Sequence, residues 1–443
     1  MLRTLIVVAM LAAGWGFALQ SPLYAACLYL WIAYFRPESW AWNDLFVALN
    51  LSYIAGAYLI VRTMVAGVPL RLGFRGLLLV LFLAQALIAT WLGVDSAYSF
   101  EYLRDFSKVI VITLLLMNIV RTSNELRLVL IVIACSLGFE AVKQGWAQLI
   151  LNPGARNGNG VPFLGDNNLV AVGMAMLIPI IAALAETSSG WWKRGWQFAN
   201  IGVFYRGLST YSRGGFLSLG AVGAVQLWRS PHKFRSIAAI AVVAVLVLPV
   251  LPQQFWDRMS TIAAAGDERD SSTEGRLHFW QVAVAMANDH PLTGVGHSGY
   301  QRAYNQYDWT AGEYGVNRAV HSSWFGVLAE LGYPGLLLFA AIIFTSLRAC
   351  RRVRKAAQRG ELPGNMGPYA VALESSLVAF IIGGSFVSFH YSEMLWHYFG
   401  LTIVLERVAA HEMAAERARL EQQREMLPSQ QAEPEPVPDF VWA

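Results

Sequence analysis

The sequence predicts an all-α, polytopic membrane protein, and three observations carry that prediction. Of its 443 residues, 56% are hydrophobic and 14% are charged, whereas soluble domains carry about 25% charged residues. The mean hydropathy is +0.44. Apolar runs near the roughly 20 residues that a membrane helix needs recur along the chain, and basic clusters lie between them. These features predict about twelve crossings of an inner membrane.

Apolar runs mark the candidate membrane segments. They span residues 4–19, 22–35, 46–62, 75–94, 107–121, 126–146, 168–186, 196–210, 214–229, 236–252, 322–347, 369–389 and 391–407. The first two are short, so they form either one broken crossing or a re-entrant pair. A single crossing there agrees with a cytoplasmic N-terminus.

Basic residues set the predicted orientation, because short loops rich in Lys and Arg favour the cytoplasmic side. Five such clusters lie near Arg62, Arg121, Lys193, Arg229 and Arg348. An even number of candidate segments separates successive clusters, so one orientation satisfies all five. It places loops 95–106, 147–167 and 253–321 in the periplasm.

Four parts follow from this topology. Residues 1–252 hold the N-terminal membrane helices, 253–321 form a large periplasmic loop, and 322–407 hold the C-terminal membrane helices. Residues 408–443 read as a cytoplasmic helix followed by a disordered tail rich in Pro, Glu and Gln. We expect the working site in the polar stretch between about Trp256 and His321.

Composition and motifs exclude several functions. The net charge of +4 is ordinary for a protein oriented by basic residues and does not indicate nucleic-acid binding. The three cysteines lie in or beside apolar runs without a CxxC pair, so we expect packing roles. The sequence contains no HExxH, Walker A or dinucleotide-binding motif. We therefore predict no metal and no cofactor.

Arg213 begins the segment at 214–229, at its predicted periplasmic end, within Ser212-Arg213-Gly214-Gly215. An ionisable group at membrane depth is costly and marks a possible site. The small neighbours suggest a close backbone approach to a ligand such as a phosphate. The alternative is an arginine that only extends to the membrane interface.

The periplasmic loop contains two further candidates. Arg276 lies in Gly275-Arg276-Leu277-His278, which opens an amphipathic helical pattern. His321 ends the loop immediately before an apolar helix. A histidine there can act as a general base or a hydrogen-bond donor, or it can be an interfacial residue bonded to backbone.

Five weaker candidates could line a pocket. Asp166 and Asn168 begin a segment at the same face, where helix capping is the alternative. Arg156 precedes them and could be merely solvated. Tyr300, with other aromatic residues nearby, could stack on sugars or belong to an interfacial belt. His390 flanks the last predicted periplasmic turn.

The order of these motifs resembles the O-antigen ligase / O-antigen polymerase superfamily. The motifs are Ser212-Arg213-Gly214, Gly275-Arg276 with Trp280, Pro291-Leu292-Thr293-Gly294-Val295-Gly296, His321-Ser322 and Ala329-Glu330-Leu331-Gly332. The resemblance is most specific over about 205–340. Each motif alone is weak, but their order, spacing and common periplasmic placement are typical of this superfamily.

The resemblance implies a metal-independent, inverting-type glycosyltransferase of the membrane-embedded GT-C class. Its donor would be a glycan on undecaprenyl diphosphate, and its acceptor the lipid A core oligosaccharide in lipopolysaccharide assembly. Arginine binds phosphate oxygens bidentately and stays charged, so Arg213 and Arg276 become candidates for a diphosphate clamp. His321 matches the family's loop-end histidine, as base or as orienting group.

Other readings stay open at this point. Within the superfamily, the chain could be an O-antigen polymerase or a ligase that glycosylates protein. The stretch Phe35-Arg36-Pro37-Glu38-Ser39-Trp40 is similar to O-glycosylation ligases associated with the exosortase system. The competing class is a lipid-linked sugar transporter, which predicts charges near the bilayer midplane and paired broken helices.

Overall fold

The computed structural model describes the chain except residues 1, 42–43, 230–232, 235–236, 239–240, 243–244, 246–248, 250–251, 261–270 and 427–443. Within the described residues it is all-helical and contains no strand, as the sequence predicts. Much of the predicted segment 236–252 and the tail from Pro428 lie outside the described residues.

The main helices follow the apolar runs closely. They are α1 (Leu2–Ala18), α2 (Pro22–Phe35), α3 (Pro37–Ala41), α4 (Asp44–Ala48), α5 (Leu51–Val65), α6 (Gly73–Leu92), α7 (Ser96–Ile119), α8 (Ser123–Leu151), α9 (Asn167–Glu186), α10 (Gly190–Leu208), α11 (Arg213–Arg229), α12 (Gln253–Ser260), α13 (Ser271–Asp289), α14 (Tyr300–Tyr307), α15 (Ser323–Gln358), α16 (Met366–Gly383) and α17 (Glu393–Met426). Three of these helices, α12, α13 and α14, lie within the described part of the predicted large loop.

Four of the described helices are long and apolar enough to cross a membrane, namely α6, α9, α15 and α16. Helices α1, α2 and α5 are apolar but shorter. These helices indicate a multi-pass membrane protein. The number of twelve crossings stays a prediction.

Helix α9 lies at the centre of the bundle that carries the site. Nearly all of its side chains are buried, and it packs against α8, α10, α11 and α16. Helix α15 packs on α6, α16 and α17, and α13 of the loop packs on α15. The first turns of α9, α11 and α15 therefore lie close to α13.

In the predicted segment 369–389, helix α16 already ends at Gly383. The following residues are irregular although they are apolar, because Ser323 pairs with their backbone. Its hydroxyl donates to the carbonyl of Val387 at 2.8 Å and accepts from the amide of Phe389 at 2.9 Å. A buried backbone needs such partners outside a helix. We call residues 384–392 the reversal segment.

Helix α15 has a kink at Gly332, where φ is 67° and ψ is −171°. At the kink, some backbone carbonyls of α15 have no partner within the helix. The Pro/Gly-rich motif at residues 291–296 donates hydrogen bonds to them. The amides of Val295 and Gly296 donate to the carbonyls of Ala329 and Glu330 at 2.8 and 3.1 Å. A β-carbon on Gly294 would lie 2.4 Å from the carbonyl oxygen of Ala329. This motif therefore fixes the predicted large loop onto the kinked helix α15.

Candidate active site

Arg213 is the first residue of α11, directly after a turn in which Tyr211 has a φ of 57°. The hydroxyl of Ser212 accepts from the amide of Gly215 at 3.3 Å and donates to Oδ1 of Asn168 at 2.8 Å. These bonds fix the start of α11 against the start of α9. Arg213 is half-buried there.

The glycines after Arg213 are explained by helix packing. A β-carbon on Gly214 would lie 2.9 Å from Phe386, and one on Gly215 would lie 2.3 Å from Ala171. The close approach expected from these small residues is thus made by protein atoms of the reversal segment and of α9. Its effect is to hold Arg213 close to both.

Asp166 caps α9. Its carboxylate accepts from the amides of Asn168 and Leu169 at 2.7 and 3.2 Å, so the capping interpretation holds for this residue. Asn168 does more, because its side chain bonds to Ser212 and also lines a narrow pocket.

That pocket brings the two predicted arginines together. Asn168, Ser212 and Arg213 line it on one side, and Arg276, from α13, lines it with Phe386 of the reversal segment. Its free volume is about 10 Å³, which is room for roughly one water-sized group. Arg213 and Arg276 thus line the same small space.

His321 lies between the loop and α15, in a left-handed conformation with a φ of 50°. Burial lowers the pKa of its imidazole, and the positive charges of Arg276 and Arg318 lower it further, while the negative charge of Asp166 opposes them. The ring is therefore neutral at neutral pH. It lines neither this pocket nor the larger cavity described below.

A second layer of contacts holds α13, and with it Arg276. His278 is buried, and its Nε2 lies 2.9 Å from Oδ1 of Asp308. The same carboxylate accepts from the amides of Thr310 and Gly312 at 2.9 and 2.8 Å. Burial raises the pKa of Asp308, but these hydrogen bonds outweigh it and lower the pKa to about 2.

Replacing Asp308 with alanine is expected to loosen the loop around Arg276. Four groups would lose this partner, namely Nε2 of His278, the amide and hydroxyl of Thr310 and the amide of Gly312. Each unsatisfied buried group costs about 1–3 kcal/mol. We expect faster amide hydrogen exchange over residues 308–315 and in the first turns of α13. Asp289→Ala is the control, because that exposed carboxylate accepts from Tyr307 and lies 3.6 Å from Nε2 of His290 at the surface, away from Asp308. Equal exchange in both variants would contradict this role.

Beside the pocket lies a larger cavity of about 560 Å³, which Tyr300 and His390 both line. The hydroxyl of Tyr300 donates to the carbonyl of Phe279 at 2.8 Å, so it is fixed by the loop's own core. The Nε2 of His390 lies 3.3 Å from a carboxylate oxygen of Glu330. Arg156 is exposed and lines neither space.

Most residues of the large cavity were absent from the sequence-based candidates, and two of them, Glu330 and His297, are buried and titratable. Glu330 is buried in α15 and accepts from the amide of Tyr300 at 3.3 Å. His297 is 1% exposed, and burial lowers its pKa to about 3, with a smaller contribution from His390. A carboxylate inside an apolar helix is a signal that could have identified Glu330. His297 has no comparable signal in the sequence.

Comparison with known families gives two matches. Residues 2–186 match a family of unknown function (DUF5935), and residues 198–340 match the O-antigen ligase family. No curated protein matches the chain. The second match covers Arg213, Arg276 and His321 and confirms the resemblance seen in the motifs. The chain therefore carries an O-antigen ligase domain at residues 198–340.

Proposed function

We propose that the protein is a glycosyltransferase that moves a glycan from undecaprenyl diphosphate to the lipid A core oligosaccharide. The observation that carries this proposal is the convergence of Arg213 and Arg276 on one narrow pocket, with His321 under the electrostatic influence of Arg276. Anion binding and a neutral base are the two elements that transfer from a lipid diphosphate requires.

In the proposed reaction, His321 and the two arginines have different roles. His321 accepts the proton of the acceptor hydroxyl, whose oxygen attacks the anomeric carbon of the donor sugar. The bond from that carbon to the diphosphate oxygen breaks, and the electron pair stays on the diphosphate. Arg213 and Arg276 stabilise the charge that grows on the leaving group. A single displacement of this kind inverts the anomeric centre.

The proposed placement is the periplasmic face of the inner membrane, in a GT-C-like scaffold. The positive-inside rule supports it, because the same orientation satisfies every basic cluster in the chain. Apolar helices α9 and α15 begin at the site, so a polyprenyl chain bound in lipid would reach the arginines with its headgroup. Arg213 and Arg276 lie near the beginnings of α9 and α15. A transporter would instead be expected to carry charged residues near the bilayer midplane.

An acceptor panel tests the proposed function. Full-length protein in lipid nanodiscs would receive an undecaprenyl-diphosphate glycan and, in separate reactions, lipid A core, a second donor molecule or a serine-containing protein acceptor. We expect product on lipid A core. Product only on the second donor identifies a polymerase, and product only on protein identifies a protein ligase; either result overturns the ligase assignment while retaining glycosyl transfer.

The acidic limb of the pH–activity profile is expected to lie below pH 6.5, the ordinary pKa of histidine, because the pKa of His321 is lowered. Arg318→Gln removes a positive charge, so that pKa rises and the limb moves to higher pH. Asp166→Asn removes a negative charge but keeps a capping side chain, so the limb moves to lower pH.

These two variants control for each other, because both alter charge near His321 without altering His321 itself. The measurement is kcat/KM for the donor from pH 4.5 to pH 8. Shifts in the same direction, or no shift in either variant, would show that His321 is not the group that titrates.

A further inference from the structure

The large cavity of about 560 Å³ lies next to the arginine pocket and has no role in the mechanism above. Neighbouring residues of two segments separate the two spaces. Asn168 lines the pocket and Leu169 the cavity, and Val387 lines the pocket and Ser388 the cavity. Val320 lines the cavity directly before His321. A group bound in the cavity would therefore lie beside the reacting centre.

The cavity is built from both matched regions of the chain. Tyr98, Tyr102 and Asp105 come from the N-terminal region, whereas His297 and Glu330 come from the ligase domain. Its volume lies within the roughly 300–1,000 Å³ of small-molecule sites. A site shared between the two regions can distinguish ligands that the ligase domain alone cannot.

Several residues that line the cavity carry a buried polar atom with no hydrogen-bond partner among the described residues. These atoms include Nδ1 of His297, Nδ1 of His390 and Oγ of Ser388. The two histidines are 1% and 5% exposed. Such atoms are costly to leave unpaired. A neutral imidazole or a serine hydroxyl pairs well with a ligand hydroxyl, which both donates and accepts.

The charges around the cavity are close to balance. Arg36 and Lys108 face the carboxylates of Asp105, Glu330 and Glu393, and Lys108 lies 4.0 Å from Glu393. The cavity therefore lacks the surplus of positive charge that a phosphate group needs. Tyr98 and Tyr102, whose ring centroids are 4.7 Å apart, also line the cavity. Arg302 lies over the ring of Tyr98, 4.4 Å from its centroid, so Tyr102 is the aromatic residue considered for a ligand.

We propose that this cavity binds uncharged sugar rings and holds them beside the arginine pocket during transfer. Aromatic faces cover the apolar faces of a sugar ring, and the unpaired histidine and serine atoms accept or donate to its hydroxyl groups. The inference rests on the proposed glycosyl transfer. The sugar belongs either to the acceptor or to the glycan of the donor, and kinetics separates these two sources.

Direct binding is tested by saturation-transfer NMR with the full-length protein in nanodiscs. The probes are the methyl glycosides of glucose, galactose and mannose, which are neutral and need no turnover. Tyr102→Ala is expected to weaken binding roughly two- to tenfold, as the loss of one aromatic contact does. Ser388→Ala is expected to weaken it as well. Phe100→Ala is the matched control, because it lies on the same helix, is similarly exposed (42% against 46% for Tyr102) and is outside the cavity.

Absence of saturation transfer in the unchanged protein, or equal signals in Tyr102→Ala and Phe100→Ala, would overturn the proposal and leave water as the occupant. In the transfer assay, Tyr102→Ala raises KM for the acceptor if the site holds acceptor sugar, and KM for the donor if it holds donor glycan. An unchanged KM for both contradicts the proposal.

The proposal and the proposed function can fail separately. Sugar binding that depends on Tyr102, in a protein that makes no transfer product, retains the sugar site and removes the assigned reaction. Transfer that depends on Arg276 without detectable sugar binding retains the reaction and removes the sugar site.

Discussion

Replacing Arg276 with alanine is expected to lower kcat/KM for glycan transfer by about 10²–10³, which corresponds to about 3–4 kcal/mol of transition-state stabilisation. Arg276 lines the narrow pocket together with Arg213, and in the proposed mechanism its charge stabilises the departing diphosphate. Arg213→Ala should have an effect of the same order. The measurement is initial-rate kinetics with purified protein in nanodiscs.

Lysine and a neighbouring arginine provide the controls for this prediction. Arg276→Lys keeps the charge but loses the bidentate geometry, so its rate should lie between those of the unchanged protein and Arg276→Ala. Arg318→Ala removes an exposed arginine that also acts on His321 but lines neither space. An equal loss in Arg318→Ala and Arg276→Ala would contradict the clamp and indicate a general effect of charge.

Replacing His321 with alanine is expected to lower kcat by about 10²–10⁴, the usual contribution of a general base. Burial and two arginines keep the imidazole neutral, so it is ready to accept a proton. KM for the donor should change little, because the donor headgroup is bound by the arginines. The reaction should also lose its acidic limb, and added imidazole should restore part of the rate.

Two substitutions sharpen this result. His321→Gln can orient a hydroxyl by hydrogen bonding but cannot act as a base near neutral pH, so retained activity would assign an orienting role and contradict base catalysis. His290→Ala is the control, because His290 is a partly exposed histidine of the same loop that lines neither space. Its loss should leave the rate and the pH profile unchanged.

The helical fold and the grouping of the arginines could be predicted from the sequence for physical reasons. Apolar length marks a membrane helix without knowledge of its neighbours, and α9 and α15 lie where the apolar runs place them. Arg213 and Arg276 were assigned to one side of the membrane by charge. The structure brings them to one pocket, and their chemical roles stay predictions.

The end of α16, the kink of α15 and the large cavity could not be predicted, because they depend on tertiary contacts that local sequence patterns do not encode. The early end of α16 at Gly383 arises because Ser323, about 60 residues away, bonds to the backbone of the reversal segment. The Pro/Gly-rich motif at residues 291–296 does more than form a turn, because its amides donate hydrogen bonds to carbonyls at the kink of α15. The large cavity combines Asp105 with Glu330, and no sequence spacing relates two such distant positions.

The central claim is that the protein breaks the bond between a glycan and a lipid diphosphate at the pocket of Arg213 and Arg276. Its most direct test follows a donor labelled in both the glycan and the lipid, with acceptor present. We predict that the unchanged protein releases undecaprenyl diphosphate in step with acceptor-linked glycan, and that the double variant Arg213→Ala/Arg276→Ala releases neither. A glycan that stays on its lipid and only changes leaflet would contradict the account and indicate a transporter.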